Sequence, residues 1–102
     1  MIMDKHLFLR EFLRNYTAFE GYCSQSGKYD ISHSGYTINF LDLQGCLKKL
    51  SKRKKEAVFW NVIMDKKQKE VAELMEITTG SVAQYVEQAM VQVAKELWPD
   101  EE

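Results

Sequence analysis

Between residues 65 and 97 the chain reads DKKQKEVAELMEITTGSVAQYVEQAMVQVAKEL, a pattern typical of two helices joined by a tight turn. Asp65 is placed to cap the first helix, and Gln68 three positions later completes a capping-box pattern. Thr78 or Thr79 is placed to cap the second helix, which puts the turn at residues 76–78. A short capped helix, a tight turn and a longer helix together predict a helix-turn-helix motif.

The apolar residues of this stretch recur by threes and fours, as they do on the buried face of a helix. In the two predicted helices they are Val71, Ala72, Leu74 and Met75, then Val82, Tyr85, Val86, Ala89, Met90 and Val93. Because Ala72 is small, we expect the second helix to cross close to the first at that position.

The segment from Leu50 to Leu97 resembles region 4 of the sigma-70 family, the domain that recognises the promoter −35 element. The strongest part of the resemblance is EVAELMEIT followed by SVAQ. The matching residues are Leu47, Leu50, Arg53, Glu56 and Val58, then Gln68, Glu70, Val71 and Ala72, then Ile77, Thr78, Val82, Gln84, Ala89 and Met90. The resemblance implies a helical DNA-binding domain that acts in transcription.

The sequence departs from the family pattern where region 4 contacts bases. Residues 79–81 are Thr-Gly-Ser in place of the family's common Arg-Glu-Arg, and Ala83 stands where a further Arg is usual. Gln84 is retained, and Glu76 occupies the turn position where Gly is usual. The scaffold therefore resembles region 4, but recognition of the −35 element does not carry over. At 102 residues there is no room for the domain that melts the −10 element. We therefore expect a small sigma-like regulator of bacteriophage or mobile-element type.

Charge is distributed very unevenly along a chain whose formal net charge is only −1. Residues 48–69 hold nine basic and two acidic side chains, which gives +7. Residues 70–102 hold one basic and eight acidic side chains, which gives −7. Nucleic acid is bound through such local patches and not through the average charge.

A DNA-binding helix-turn-helix offers the first turns of its second helix to base edges in the major groove. The expected base contacts are Thr79, Ser81, Gln84 and Gln88. The expected phosphate contacts are Lys52, Arg53, Lys55, Lys66, Lys67, Lys69 and Thr78. The alternative for the lysines is an ordinary solvated surface.

The chain as a whole is predicted to be an all-α domain with about five helices, two of which are those of the helix-turn-helix. One is expected from about Lys5 to Glu20, capped by Asp4 and ended by Gly21, with an aromatic face that belongs to the core or to a seam with a partner helix. Residues 22–37 form either a small hairpin that turns at Ser34-Gly35 or an ordered loop. Further helices are expected from near Asn39 to Leu50 and, after a Ser51 cap, over residues 52–63. The last one ends at Leu97-Trp98, before Pro99.

Several classes of protein are disfavoured by the sequence. Its longest apolar runs are too short to cross a membrane, and Arg10, Glu11 and Arg14 break up any signal-peptide pattern. No catalytic motif and no cofactor motif is present, and neither His6 nor His33 has metal-site spacing around it. Cys23 and Cys46 are expected to be buried, reduced thiols of a cytoplasmic protein. The resemblance to region 4 implies that this cytoplasm is that of a bacterial host cell.

We expect one domain over residues 1–102, made of an N-terminal helix and loop (1–38), the region 4-like part (39–98) and an acidic tail (99–102). Two functional hypotheses follow. The first is a transcription regulator that binds double-stranded DNA through the helix-turn-helix, with a homodimer left open. The second is a protein-interaction module that binds RNA polymerase or a sigma factor and modulates host transcription. Because the second predicted helix carries so few cations, both hypotheses stay open.

Overall fold

The computed structural model describes residues 4–33 and 35–99 of the chain. These residues form six α-helices, a two-stranded antiparallel sheet and a short π-helix. The elements in order are α1 (Lys5–Arg14), α2 (Tyr16–Ser26), β1 (Asp30–His33), β2 (Tyr36–Asn39), α3 (Phe40–Lys49), α4 (Lys52–Val58), the π-helix (Phe59–Ile63), α5 (Gln68–Met75) and α6 (Thr79–Leu97). The predicted helical fold is confirmed, but the described part of the chain contains six α-helices where about five were expected.

The additional helix arises because the chain breaks at Asn15, within the predicted helix over residues 5–20. Asp4 caps α1 as expected, accepting hydrogen bonds from the main-chain N–H groups of His6 and Leu7. The side-chain amide of Asn15 donates to the carbonyl of Glu11 at 2.9 Å, and such local bonds compete with the helix ladder. The prediction that Gly21 ends the helix is wrong. Helix α2 continues to Ser26 and ends at Gly27. The φ of Gly27 is 70°, a left-handed conformation that glycine adopts without strain.

Two alternatives were open for residues 22–37, a hairpin or an ordered loop. The second half of this segment forms the hairpin, while residues 22–26 belong to α2. The strands pair with His33 opposite Tyr36 and Asp30 opposite Asn39. The predicted turn at Ser34-Gly35 falls between them, with Ser34 outside the described residues and Gly35 at φ 85°. Ile38 is fully buried, so the hairpin covers one side of the core.

The core is arranged around α6, which packs against α1, α3, α4 and α5. Its buried side chains meet those of the other helices in one cluster, which includes Leu9, Leu13, Leu43, Val62, Val71, Val82, Val86 and Val93. Cys23 and Cys46 are buried and are not joined in a disulfide, as expected. Among the described residues no helix is long and apolar enough to span a membrane.

The aromatic face of α1 belongs to the core, where it ties the N-terminal part of the chain to the end of α6. The Phe8 ring lies 5.4 Å from that of Tyr36 and 6.1 Å from that of Trp98, centroid to centroid. The indole N–H of Trp98 donates to the main-chain carbonyl of Thr37 at 3.1 Å. The C-terminal end of α6 is therefore fixed by residues that precede α3.

The start of α5 differs from the prediction. Asp65 has φ 54° and does not cap the helix, since Lys67 occupies the N-cap position without a side-chain cap bond. The turn before α5 is organised instead by the preceding helix. Asn61 donates from its amide to the carbonyl of Lys66 at 2.9 Å, and the Lys66 N–H donates to the carbonyl of Trp60. These bonds hold the chain in place, so no capping box forms.

Candidate nucleic-acid interface

The turn between α5 and α6 is a tight helix-terminating turn built on Glu76. This residue has φ 57°, a left-handed conformation that costs a residue with a Cβ about 1 kcal/mol or more. The N–H of Ile77 donates to the carbonyl of Ala72 at 3.0 Å, which closes the last turn of α5. Ile77 is half-buried and packs against the core. This apolar contact stabilises the turn in spite of the strain at Glu76.

Thr78 caps α6, as one of the two predicted alternatives. Its hydroxyl oxygen accepts from the main-chain N–H of Ser81 at 3.0 Å, and its O–H donates to the Ser81 hydroxyl at 2.9 Å. The single O–H donor of Thr78 is therefore used inside the cap and is not available to a phosphate. A phosphate contact at this position would come from the free main-chain amides of the first turn.

The first turn of α6 carries very little side-chain bulk. A Cβ built on Gly80 would meet only the Thr78 hydroxyl oxygen, at 3.9 Å, so the space beyond this glycine is open. Thr79 is exposed and Ser81 is half-buried. Because the side chains are small, a flat or convex ligand surface can approach the main chain of this turn closely.

The four predicted base-contact residues lie in the first three turns of α6. Ser81, Gln84 and Gln88 are spaced by three and then four positions, which places them on one face of the helix, and both glutamines are exposed. Thr79 is the first residue of α6 and lies about 200° around the helix axis from Ser81, so it is exposed at the helix end but is not part of this strip. Glu87 is also exposed beside Gln88, and α6 carries no basic side chain before Lys95. The strip is therefore polar but supplies no positive charge of its own.

The predicted phosphate contacts are distributed over the start of α4, the segment before α5, the first turn of α5 and the cap of α6. Lys52 and Arg53 lie at the start of α4, where the Arg53 guanidinium donates to the main-chain carbonyl of Met75 at 3.0 Å. Arg53 is thus bound to the last turn of α5, immediately before the helix-turn-helix turn. Lys52 is exposed and points to solvent at the first position of α4.

A second basic group precedes α5 and continues into its first turn. Lys67 and Lys69 are exposed, while Lys66 is half-buried with its ammonium 5.9 Å from the Trp60 ring centroid. Lys66 also lies beside Glu70 and Glu73 on the outer side of α5. The Lys66 ammonium therefore already has a cation–π partner within the protein.

Lys55 lies in neither group. It lines a groove together with Lys48, Tyr16 and Phe59, formed where α2 and α3 approach α4. Sequence analysis did not identify this groove, because its walls come from residues far apart in the chain. The sequence does contain one indication of the groove. Lys55 and Phe59 are four positions apart, so they lie on the same face of a helix over residues 52–63.

The buried thiol of Cys46 has a raised pKa. Burial and a hydrogen bond to the Glu96 carboxylate raise the pKa of Cys46 to about 12. A protonated thiol is a poor nucleophile and a poor metal ligand. Within residues 4–33 and 35–99, no group of three or more His, Cys, Asp or Glu side chains is placed to hold a metal ion.

The comparisons with known proteins agree with this geometry. The family model described as Sigma-70, region 4 matches residues 40–93, which run from the start of α3 into the fourth turn of α6. No curated protein and no solved structure gives a significant match. The matched span covers more than half of the 102 residues and includes the whole α5–turn–α6 unit. The chain therefore belongs to the sigma-70 region 4 family.

Proposed function

We propose that this chain is a transcription regulator that binds double-stranded DNA with α6 in the major groove. The observation that carries the proposal is the exposed strip on α6, which begins at the Thr78 cap and the open Gly80. A helix-turn-helix contacts base edges with the N-terminal part of its second helix, and this strip lies there.

The strip and the lysines have separate roles in this proposal. Gln84 and Gln88 are long enough to form a bidentate pair with adenine, while Thr79 and Ser81 offer shorter contacts to bases. The sequence-independent attraction comes from Lys52, Lys67 and Lys69, with smaller contributions from Arg53 and Lys66, whose charges are partly used within the protein. Lys55 would contribute only if the duplex also reached the side of α4 that faces α3.

The decisive experiment uses Gln84→Ala with a DNA site obtained by selection from a random duplex pool. The substitution should weaken binding to the selected site by about 1–3 kcal/mol and relax preference at one base pair. Binding to random DNA should change little, because Gln84 carries no charge. Gln25→Ala is a matched control, since Gln25 is an exposed glutamine on α2. Equal affinities of the Gln84→Ala protein and its parent for the selected site would contradict the proposal.

A second function is favoured by the charge of α6. Its exposed face carries Glu87 and Gln88 with no cation before Lys95, which suits a protein surface better than a phosphate backbone. In this alternative the region 4 scaffold engages bacterial RNA polymerase or a sigma factor in the cytoplasm and modulates host transcription, as a small phage regulator would. A parallel titration of the chain against polymerase distinguishes the two functions, because only this alternative expects binding without DNA.

A further inference from the structure

The groove between α2, α3 and α4 is separate from the helix-turn-helix and has a volume of about 310 Å³. Its wall on the α2 side is Tyr16, whose hydroxyl accepts from the amide of Gln44 at 3.2 Å. Its floor is apolar and includes Leu47, Val58 and Ile63. This volume is at the lower end of the range for small-molecule pockets. It can accommodate a few side chains of a bound peptide segment more readily than a complete small-molecule ligand.

The π-helix brings a large aromatic side chain to the edge of this groove. The N–H of Met64 donates to the carbonyl of Phe59 at 2.8 Å, which is the i to i−5 bond of a π-helix. Phe59 and Ile63, the two ends of the π-helix, both line the groove. Phe59 remains 43% exposed although its ring packs edge-on against Trp60. Such π-helical segments occur frequently at functional sites.

The charge at the groove has one sign. Of its nine lining residues two are lysines, Lys48 and Lys55, and none is acidic. Neither lysine forms an ion pair within the described residues. An apolar floor with cationic sides is complementary to a segment that has apolar residues on one face and carboxylates beside them.

We propose that this groove binds an acidic amphipathic helix of a partner protein. Apolar side chains at i, i+3 or i+4 of the partner helix would fill the floor and cover Phe59, while flanking carboxylates would pair with Lys48 and Lys55. The apolar floor favours such a helix over a DNA backbone, which would place phosphates against Leu47 and Ile63. The proposal names a surface outside the helix-turn-helix and does not depend on DNA binding.

The test uses the intact chain and a designed probe. The probe is a fluorescein-labelled helical peptide of about 16 residues with leucines on one face and glutamates on the others. Two control peptides have the same leucines with lysines in place of the glutamates, or the same composition in scrambled order. Fluorescence anisotropy should show saturable binding of the acidic helix, with both controls at least about tenfold weaker.

Two substitutions locate the binding site. Phe59→Ala should weaken binding of the acidic helix about tenfold, because a half-exposed aromatic at the edge of an apolar groove is a typical hot spot. Lys48→Glu should weaken binding by a similar factor at low salt and by less at high salt. The matched controls are Leu74→Ala, an exposed apolar residue beside Lys66 on α5, and Lys28→Glu, an exposed lysine before β1. Neither control should change the affinity by more than about twofold.

Amide shifts in a labelled sample provide an independent readout of the site. Titration with the acidic helix should move the signals of Leu47, Lys48, Lys55 and Phe59 and leave those of Gln84 and Gln88 unchanged. Shifts on α6, undiminished binding to the Phe59→Ala protein, or no binding to the parent chain would each overturn the proposal. A dimer of the parent chain that Phe59→Ala dissociates would also overturn it, since a second copy would then be the occupant.

The outcome of the DNA-binding experiment is independent of the outcome of the peptide-binding experiment. Phe59→Ala changes no charge, so DNA affinity and its salt dependence should equal those of the parent. If the acidic helix binds and DNA does not, the groove proposal stands and the proposed DNA function fails. The reverse result overturns the groove alone.

Discussion

The Arg53 guanidinium donates from Nη1 to the main-chain carbonyl of Met75 at 3.0 Å, joining the start of α4 to the end of α5. The last carbonyls of a helix lack partners within the helix, and they form the negative end of its dipole. A cation that hydrogen-bonds one of them stabilises the helix end. Arg53 therefore supports the turn that orients α6, whether or not it also contacts phosphate.

Arg53→Ala should lower the free energy of unfolding by about 1 kcal/mol, because a hydrogen bond from a charged group to a helix end is lost. Lys52→Ala, one position earlier on exposed surface, should change it by less than about 0.5 kcal/mol. Urea unfolding of both proteins measures the difference. Equal stabilities would mean that the Arg53 bond contributes nothing in solution.

The lysines should differ in their contributions to DNA binding. Removal of one phosphate contact lowers the slope of log K against log salt by about 0.9. Lys67→Ala and Lys69→Ala should each approach that value. Lys66→Ala should fall short of it, because the Lys66 ammonium lies over the Trp60 ring. The measurement is a salt titration on a random duplex, with Lys28→Ala as the control, and three unchanged slopes would make this group ordinary surface.

Replacement of glycine by alanine should change the stability of the fold in opposite directions at Gly45 and Gly27. Gly45 lies within α3 and has no atom within 4 Å of an added Cβ, so Gly45→Ala should stabilise the fold by about 0.5–1 kcal/mol. Gly27 has φ 70° at the end of α2, so Gly27→Ala should destabilise it by about 1 kcal/mol. Thermal unfolding of the two proteins checks the pair. A stabilised Gly27→Ala protein would contradict the left-handed conformation there.

The buried thiol predicts how stability depends on alkaline pH. Because burial raises the pKa of Cys46 from 9.0 to about 12, the folded state holds this proton more tightly than the unfolded state. The resulting stability is fully present below pH 9.0 and is lost as the pH rises towards about 12. Urea unfolding on both sides of pH 9.0 should therefore show a steeper alkaline loss for the parent than for Cys46→Ala. Parallel losses in the two proteins would show that the thiol ionises as freely in the folded chain as in the unfolded one.

The features that sequence analysis predicted correctly are those determined by near neighbours in the chain. The caps at Asp4, Ser51 and Thr78 each bond an N–H within three residues, so their positions could be recognised from spacing alone. The turn at residues 76–78 and the end of α6 before Pro99 are equally local.

The features that it did not predict depend on contacts between distant residues. Asp65 had the right spacing for a cap, but bonds from Asn61 and to Trp60 fix the turn before α5. The bond from Arg53 to Met75 spans 22 positions and left no local pattern. The groove beside Phe59 is lined by both ends of a π-helix, whereas the apolar spacing of residues 52–63 predicted one regular helix. The proposed site on α6 was therefore accessible from sequence, whereas the groove was not.

The bond from Trp98 to Thr37 also has a consequence for protein synthesis. These residues are 61 positions apart, and α6 supplies the centre of the core. At about 5–20 residues per second, a ribosome needs on the order of 3–12 s to add that segment after Thr37 is made. Throughout this delay the apolar face of α1 has no α6 to cover it. The nascent chain is thus exposed to aggregation and to chaperones until α6 has emerged, and a truncation before α6 should yield an insoluble product.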